Sequence, residues 1–452
     1  MTKENKKGSV KKLSTESYKG VRDFYPEDMF IEKYMFEKMR AAAEKFGYVE
    51  YSASILEPAE LYRSKTSEEI VNDQTYTFKD RGDREVTLRP EMTPSVARMV
   101  ADRKRELSFP LRWYSIPNVF RYEQPQRGRL REHWQWNVDI FGDMGDAAAE
   151  TEAEIISLTH SFFTSLGATE ENFEILVSNR KALGELWDKF AIAPEKRAEL
   201  NRLIDTKEKM SGEKFAAALT EKIDSSESAS SIAEALESAE SFVEALGEDG
   251  ESEAMKEIGQ LLTLLGEMGI KNARFSPTLA RGFDYYTGTV FEIFDTDPKN
   301  RRSLAGGGRY DNLLSIFGGD TVPAFGFGLG DVTLRDFLES HNLLPEYTST
   351  AQIFIAVMGG TSVPATTSAA NSLATKLRAL GASVVLDFSG RTFGDCIKKA
   401  LKDGVPFFAV MGEDEVNENS ITIKNLSEKS EKSFTLDETG IASLAEFLAN
   451  KN

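Results

Sequence analysis

Residues 120–142 read "FRYEQPQRGRLREHWQWNVDIFG" and give the clearest indication of the fold. Two strand-like runs, "RWYSIPNVFRYE" (112–123) and "HWQWNVDIFG" (133–142), lie on either side of a polar loop. This arrangement predicts a long antiparallel hairpin. Alternate side chains of a strand point to opposite faces. In the second run, one face carries Gln135, Asn137 and Asp139, and the other carries Trp134, Trp136, Val138 and Ile140. A polar face is commonly solvated, so the hairpin alone leaves open a water-covered surface or a binding site.

The distribution of charge along the chain limits which kinds of partner the protein can bind. The chain has 452 residues and a formal net charge of −18, which taken alone argues against nucleic acid. Much of the acid lies in 221–257, whereas 121–132 holds four arginines against two glutamates. An acidic protein with a local basic loop can still bind a polyanion at that loop.

Composition and rare residues exclude several classes. The chain is 40% hydrophobic and 28% charged, as in an ordinary globular protein, and has no apolar run of membrane-spanning length. The first residues, "MTKENKKGSVKKLST", lack a hydrophobic signal core, so we expect a flexible tail over 1–17 and a cytoplasmic protein without a membrane partner. The single cysteine, Cys396, excludes an internal disulfide. Three scattered histidines without an HExxH motif favour neither a zinc site nor a catalytic triad: His133, His160 and His341.

Apolar spacing organises the rest of the chain. Residues 28–48 have helical periodicity with Gly47 as the stop, and Thr93 before Pro94 is typical of a helix N-cap. Residues 150–270 are helical in pattern, with a polar middle that indicates an inserted module. "DNLLSIFG" (311–318) predicts a helix, and the glycine-rich stretch from 322 predicts a turn that enters another helix.

After about residue 350 the pattern changes. "QIFIAVMG", "SVVLDFSG", "VPFFAVMG" and "SITIKNL" are short apolar strands, and helical stretches at 362–380 and 392–403 separate the first three. This βαβαβ alternation predicts a compact α/β domain of about 100 residues.

"ARGFDYYTGTVFEIF" (280–294) concentrates polar groups immediately before an alternating strand. Burying such groups is costly unless each finds a partner. The stretch is therefore either a turn whose hydroxyls bond backbone or part of a site. Two glycine-rich motifs, "AGGGRYD" (305–311) and "GFGLGD" (326–331), are neither a P-loop nor a dinucleotide fingerprint, and alone they indicate only close backbone packing.

Taken together, the motifs support a family assignment. "FRYEQPQRGRLREHWQWNVDIFG" resembles motif 2 of class II aminoacyl-tRNA synthetases in its histidyl form, and "RGFDYYTGTVFE" resembles a stretch peculiar to histidyl-tRNA synthetases. "KGVRDFYPEDM", "FGYVEYSASILEP", "TLRPEMTPSVAR" and "GGGRYDNLL" follow in that family's order. The resemblance runs from about residue 18 to 340 and is looser, through "GVPFFAVMGEDE" and "ITIKNL", beyond that.

The resemblance implies an α+β fold and an enzyme. We expect a class II catalytic domain with an antiparallel sheet over 18–345, a helical insertion at about 190–265, and an α/β anticodon-binding domain over 350–452. The motif 1 region, about 28–58, would form a homodimer interface. The implied reaction attaches L-histidine to tRNA(His) with ATP, through a histidyl-adenylate.

The resemblance also assigns site residues. Histidine would be bound by Glu91, Met92, Thr93, Gln135, Asp139, Tyr285 and Tyr286, of which Asp139 and Tyr286 address the imidazole. ATP would be bound by Arg121, Glu123, Arg129, Arg281 and Arg309, with Mg²⁺ bridging phosphates and no metal site made by the protein alone. Arg121 and Arg281 would be the catalytic groups, because they lie where charge develops on the α-phosphate.

One departure keeps alternatives open. Motif 3 of the class normally ends in an arginine that meets the γ-phosphate. In this chain Thr333 occupies that position, and Arg335 lies two residues further along. Either Arg309, Arg129 and Mg²⁺ cover the outer phosphates, or ATP binds differently. A catalytically inactive paralogue that binds histidine as a regulatory subunit is the main alternative, although such paralogues lose "RGxDYY" and the C-terminal domain, both present here. A plain α/β nucleotide-binding protein is a third, which the basic loop and the C-terminal domain disfavour.

Overall fold

The structure is a computed structural model that describes residues 13–63, 74–142, 145–207, 210–223, 225–247, 252–279, 285–300, 302–318 and 321–450. The chain divides into two compact units, of which the first ends at Leu344 and the second begins at Pro345. No helix in these ranges has the length and apolar character needed to cross a membrane.

The first unit is built on a large, mostly antiparallel sheet. Its strands and those of a small companion sheet are β1 Val49–Glu50, β2 Leu56–Pro58, β3 Tyr76–Lys79, β4 Glu85–Leu88, β5 Leu111–Ser115, β6 Asn118–Phe120, β7 Glu132–Phe141, β8 Phe173–Asn179, β9 Ala273–Phe275, β10 Thr289–Asp295, β11 Ser303–Arg309 and β12 Ala324–Gly330. The large sheet has the order β1-β5-β7-β12-β11-β10-β8-β9, and β6 also pairs with β7. Among the described strands of this large sheet, only the outer pairs β1–β5 and β8–β9 are parallel. The predicted α+β class is confirmed.

Helices cover one face of this sheet. The helices of the first unit are α1 Pro26–Lys45, α2 Glu60–Arg63, α3 Thr93–Arg103, α4 Ala148–Ser165, α5 Arg180–Lys189, α6 Pro194–Ile204, α7 Gly212–Lys222, α8 Ser226–Ala235, α9 Ala239–Leu246, α10 Glu253–Glu267 and α11 Asp331–Ser340. Met39 of α1 and Phe162 of α4 share one buried core with Trp136 and Val138 of β7. The apolar face of β7 is therefore the core face, as the alternation predicted, and its polar face looks to the other side of the sheet.

The polar middle of the chain folds into short helices with a core of their own. Trp187, Phe215 and Phe242 are buried together there. Four helices in this part begin at a serine whose side chain accepts a hydrogen bond from the first turn: Ser211, Ser225, Ser238 and Ser252. Four serines of this polar stretch thus act as helix caps.

One glycine-rich segment differs from its prediction. Residues 324–330 form the central strand β12, between β7 and β11, and not the predicted turn. Gly326 and Gly328 lie opposite Asp139 and Asn137 of β7. Glycine indicated a turn from sequence, whereas here it lets neighbouring side chains lie directly against the strand.

Smaller differences concern local geometry. Residues Leu313–Phe317 form a 3-10 helix and not an α-helix. The N-cap of α3 is Met92, so Thr93 is already helical and the predicted cap was wrong by one residue. The first hairpin strand is interrupted between Ser115 and Asn118, where Pro117 lacks the N–H that a strand ladder needs. The predicted first helix is confirmed, and Gly47 beyond its end has φ of +79°.

The second unit is a five-stranded mixed sheet with helices. Its elements are β13 Ile353–Val357, α12 Pro364–Ala379, β14 Val384–Asp387, α13 Phe393–Lys402, β15 Phe407–Met411, α14 Glu413–Glu418, β16 Ser420–Asn425, β17 Glu431–Thr435 and α15 Glu438–Ala449. The order is β14-β13-β15-β16-β17, parallel across the first three strands and antiparallel across the rest. The predicted βαβαβ alternation is confirmed.

Candidate active site

A cavity of about 350 Å³ lies against the polar face of β7. The sheet supplies its floor and the loop between β6 and β7 supplies one wall. Its lining includes Thr93, Arg121, Glu123, Gly128, Arg129, His133, Gln135, Asn137, Asp139, Tyr285, Tyr286, Glu292, Arg302, Tyr310, Gly326, Gly328 and Thr333. The three polar residues of β7 therefore face a cavity and not an open solvated surface.

Glycines give the floor its depth. A Cβ at Gly326 would lie 2.1 Å from Oδ1 of Asp139, and one at Gly328 would lie 2.4 Å from Nε2 of Gln135. Both distances are far below van der Waals contact. A Cβ at Gly307 of β11 would lie 2.2 Å from the Gly326 carbonyl oxygen. Any larger residue at these positions must displace either a cavity side chain or the neighbouring strand.

Asp139 is buried at one end of the cavity and held by a tyrosine. The Tyr310 hydroxyl donates to its Oδ1 at 2.5 Å, whereas its buried Oδ2 has no hydrogen-bond partner among the described residues. Burial raises the pKa of Asp139 and the Tyr310 hydrogen bond offsets part of the rise, which leaves the pKa at about 7. The rings of Tyr285 and Tyr286 meet edge to face at 4.9 Å beside it. This end of the cavity is therefore polar and holds a buried carboxylate oxygen that no described residue satisfies.

The start of α3 lies behind the tyrosines. The Tyr285 hydroxyl donates to Oε2 of the buried Glu91 at 3.4 Å, and Thr93 lines the cavity. Met92 is fully buried and does not line the cavity. Its Sδ lies 3.8 Å from Nη1 of Arg89. Of the three adjacent residues assigned to histidine, Thr93 therefore lines the cavity and Met92 does not. Glu91 does not line it either, but it accepts a hydrogen bond from the cavity residue Tyr285.

The other end of the cavity is rich in arginine. Arg121 is half-buried with its Nε donating to the Pro90 carbonyl at 2.8 Å, and burial lowers its pKa. Arg129, from the polar loop, forms an ion pair with Glu123. The structure thus brings together three of the residues assigned to ATP, two of them already paired with each other.

A fourth residue assigned to ATP, Arg309, lies outside the cavity. Arg309 does not line the cavity, because its Nε donates to Oε1 of the buried Glu152 on α4 at 2.7 Å. Arg281 lies outside the described residues. Thr333 lines the cavity as the motif 3 alignment implied, whereas Arg335 is ion-paired with Asp28 of α1 at 2.7 Å and does not line it.

The lining residues that were not predicted as site residues include His133, Glu292, Arg302 and Tyr310. Alternation along β10 could have found Glu292, because Thr289, Phe291 and Ile293 occupy the opposite face. No local pattern marked Tyr310, whose partner Asp139 is 171 positions away. Burial and the nearby Arg121 lower the pKa of His133 to about 3, so this histidine is neutral.

Comparisons with known proteins agree with this geometry. A family model described as histidyl-tRNA synthetase matches residues 20–333, and one described as anticodon binding domain matches 352–448. Histidine--tRNA ligase of Leptospira biflexa is 42% identical over 431 residues, covering 94% of this chain and 97% of the relative. Histidine--tRNA ligase of Thermoplasma volcanium is 36% identical over 427 residues, covering 94% and 97%.

Solved structures show the same fold. The histidyl-tRNA synthetase from Nostoc sp. PCC 7120 superposes with a TM-score of 0.81 at 21% identity, over 98% of this chain and 100% of that one. A protein described as an ATP phosphoribosyltransferase regulatory subunit/histidyl-tRNA synthetase, from Bacillus halodurans C, gives 0.71 at 25% identity, over 89% and 99%. The sheet and its cavity thus define a class II aminoacyl-tRNA synthetase fold. With the family match and the 42% identity, the chain belongs to the histidyl-tRNA synthetase family.

Proposed function

We propose that this chain is a histidine--tRNA ligase of protein biosynthesis, which attaches L-histidine to tRNA(His) with ATP through a histidyl-adenylate. One observation carries the proposal: a single cavity joins a buried carboxylate–tyrosine pocket to an arginine-rich arm. The pocket fits an imidazole and the arm fits a polyphosphate. The names of the relatives support the same activity.

Histidine would bind at the Asp139 end. A neutral imidazole has one N–H donor and one acceptor nitrogen. Asp139 accepts from the donor through Oδ2, and the Tyr286 hydroxyl donates to the other nitrogen. The ammonium group lies toward Thr93, Gln135 and the carboxylate of Glu91, and Tyr285 forms the wall between Glu91 and the cavity. A pocket of buried polar groups discriminates strongly against analogues that leave those groups unpaired.

ATP would bind along the arginine-rich arm. Arg121 contacts the α-phosphate, Glu123 accepts from the adenine amino group, and Arg129 exchanges its Glu123 partner for phosphate. The histidine carboxylate attacks the α-phosphorus, a new O–P bond forms, and the bond to the pyrophosphate oxygen breaks with its electron pair. The nucleophile is already anionic, so catalysis consists of positioning and charge stabilisation. Arg281 keeps the role in this step that the family resemblance implies.

Mg²⁺ fits this arrangement as a companion of ATP. The ion is commonly bound by one or two carboxylates together with substrate phosphates. Glu292 lines the cavity and would supply a carboxylate, while the described residues contain no group of three or more metal-ligating side chains. The ion would neutralise phosphate charge.

The remaining parts of the chain complete the proposal. We assign 18–345 to the catalytic domain, about 190–265 to its helical insertion, 350–452 to anticodon binding and 1–17 to a tail, in a cytoplasmic enzyme. The chain would act as a homodimer through about 28–58, where Val49 and Leu56 leave apolar side chains exposed. Sedimentation at micromolar concentration tests this, and a monomer there would contradict it.

Histidine-dependent exchange of pyrophosphate into ATP tests the function. The wild-type protein should catalyse exchange with histidine and not with other amino acids. Histidine binding without exchange would instead support the regulatory-subunit alternative, a role that the description of the Bacillus halodurans protein includes. The arginine-rich arm and the anticodon-binding match favour the ligase.

Replacing Tyr286 by phenylalanine should raise KM for histidine and leave KM for ATP within about twofold. The change removes one hydroxyl and leaves an imidazole nitrogen unpaired, at a cost of about 1–3 kcal/mol, or roughly 5- to 150-fold. Steady-state exchange kinetics measure both constants. Tyr25→Phe is the matched control, since Tyr25 is 70% exposed. A shift in KM for ATP alone would contradict the assignment of Tyr286 to histidine.

A further inference from the structure

A second cleft of about 160 Å³ adjoins the mouth of the cavity. The two spaces share Gly128, Arg302, Leu304 and Thr333, so they are adjacent. Arg127 and Lys299 add two more cations to the cleft, and Asp336, which pairs with Arg127 at 3.7 Å, adds one carboxylate. Neither Asp139 nor Tyr286 borders the cleft. The cleft is therefore a basic extension of the cavity, separate from its carboxylate–tyrosine end.

Arg302 lies at the junction of the two spaces. It directly precedes β11, and its Nε donates to the Arg127 carbonyl at 3.2 Å. Gly128 has φ of +69°, and a Cβ there would lie 2.8 Å from Cδ of Arg302 and 3.3 Å from Cγ2 of Thr333. The aliphatic part of Arg302 thus lies over Gly128 and beside the short side chain of Thr333.

Two of the arginines considered for the outer phosphates point elsewhere, while the third, Arg129, lines the cavity but not the cleft. Arg309 pairs with the buried Glu152, Arg335 pairs with Asp28, and neither lines the cavity or the cleft. Arg302 borders both spaces. Its position makes it the arginine best placed to meet a phosphate chain that extends from the arm into the cleft.

We infer that Arg302 binds the outer phosphates of ATP and the pyrophosphate product, with Lys299 beside it. The inference rests on the proposed function and adds a residue that motif 3 does not supply. As the bond to the α-phosphorus breaks, its electron pair stays on the departing pyrophosphate. A guanidinium can donate two parallel hydrogen bonds to such an anion. Thr333 leaves room for Arg302 at this corner.

Arg302→Ala should raise KM for ATP and for pyrophosphate in the exchange reaction by tenfold or more, with KM for histidine changed less than twofold. Arg302→Lys should recover part of the loss, because a lysine keeps the charge without the fork of donors. Arg274→Ala is the matched control, since Arg274 pairs with Glu174 at an exposed position on the edge strand β9. Melting temperatures establish that each variant is folded. If the alanine variant does not fold, the KM values of Arg302→Lys are compared with those of the wild type instead.

Calorimetric binding separates this inference from the function itself. Arg302→Ala should weaken ATP at least tenfold and leave AMP, which has no outer phosphates, unchanged. Equal weakening of ATP and AMP, or none of either, would overturn the role of Arg302 even in an active enzyme. Absence of exchange in the wild type would overturn the ligase proposal, while a selective loss of ATP binding would still support Arg302 as a ligand of the outer phosphates.

Discussion

Arg121→Ala is expected to lower kcat for adenylate formation by about 100- to 1,000-fold, the scale found when one preorganised donor to a transition state is removed. Arg121 lines the cavity, and the hydrogen bond from its Nε to the Pro90 carbonyl fixes the guanidinium in place. On the proposed function, it meets charge that grows as the α-phosphorus becomes five-coordinate. Loss of an interaction made mainly in the transition state lowers kcat and leaves KM little changed.

Rapid-quench measurement of adenylate formation, together with a melting curve, tests this prediction. Arg98→Ala is the control, because Arg98 pairs with Glu57 and does not line the cavity. If Arg121 only supports the backbone at Pro90, its replacement should lower the melting temperature and leave turnover per folded molecule normal. That result would contradict a catalytic role.

Asp139→Ala is expected to raise KM for histidine by about 30- to 5,000-fold, because truncating one partner of a buried charged hydrogen bond costs about 2–5 kcal/mol. It removes the oxygen that would accept from the imidazole and leaves the Tyr310 hydroxyl without its acceptor. Asp139→Asn keeps the shape and loses the charge. Equilibrium binding of histidine to both variants, with AMP as a control ligand, measures the effect. Unchanged histidine affinity in the alanine variant would rule out Asp139 as the imidazole partner.

The raised pKa of Asp139 adds a pH dependence. Because the folded-state pKa is about 7, above the ordinary value of 3.8, the folded protein holds this proton more tightly than the unfolded chain. The contribution of Asp139 to stability is therefore present at low pH and is lost as pH rises from about 4 through about 7. Asp139→Asn should match the wild type near pH 4 and be the more stable protein at pH 8. Denaturant unfolding at the two pH values measures the difference, and a constant difference would contradict the assigned pKa.

Strand alternation made the polar face of β7 predictable, and helical spacing made α1 predictable. In both elements, the spacing of apolar residues along the sequence shows directly which side of the strand or helix is buried. The motifs around them identified the family, which the comparisons confirm. The functional assignments of the individual residues remain predictions, and the structure adds their positions.

Other features depend on distant partners. "RRSLAGGGRYD" has three consecutive glycines, so no side-chain period shows which face of β11 meets the cavity. The orientation of Arg309 depends on Glu152, 157 positions earlier in the chain. Arg302 could be selected over Arg309 only once the strands were paired. For the same reason, β12 was mistaken for a turn: its place between β7 and β11 comes from long-range pairing that outweighs the low strand propensity of glycine.

The glycine floor bears on inhibitor resistance. A compound that fills the cavity down to Gly326 and Gly328 could be excluded by a single methyl group at either position. That methyl would, however, lie within 2.4 Å of Asp139 or Gln135, the side chains proposed to hold the natural substrate. A mutation that blocks such a compound at the floor would therefore weaken histidine binding as well. Inhibitors that reach the floor should therefore select for resistance mutations elsewhere in the cavity. Inhibitors that stop short of the floor can be excluded by mutations that leave the proposed histidine contacts intact.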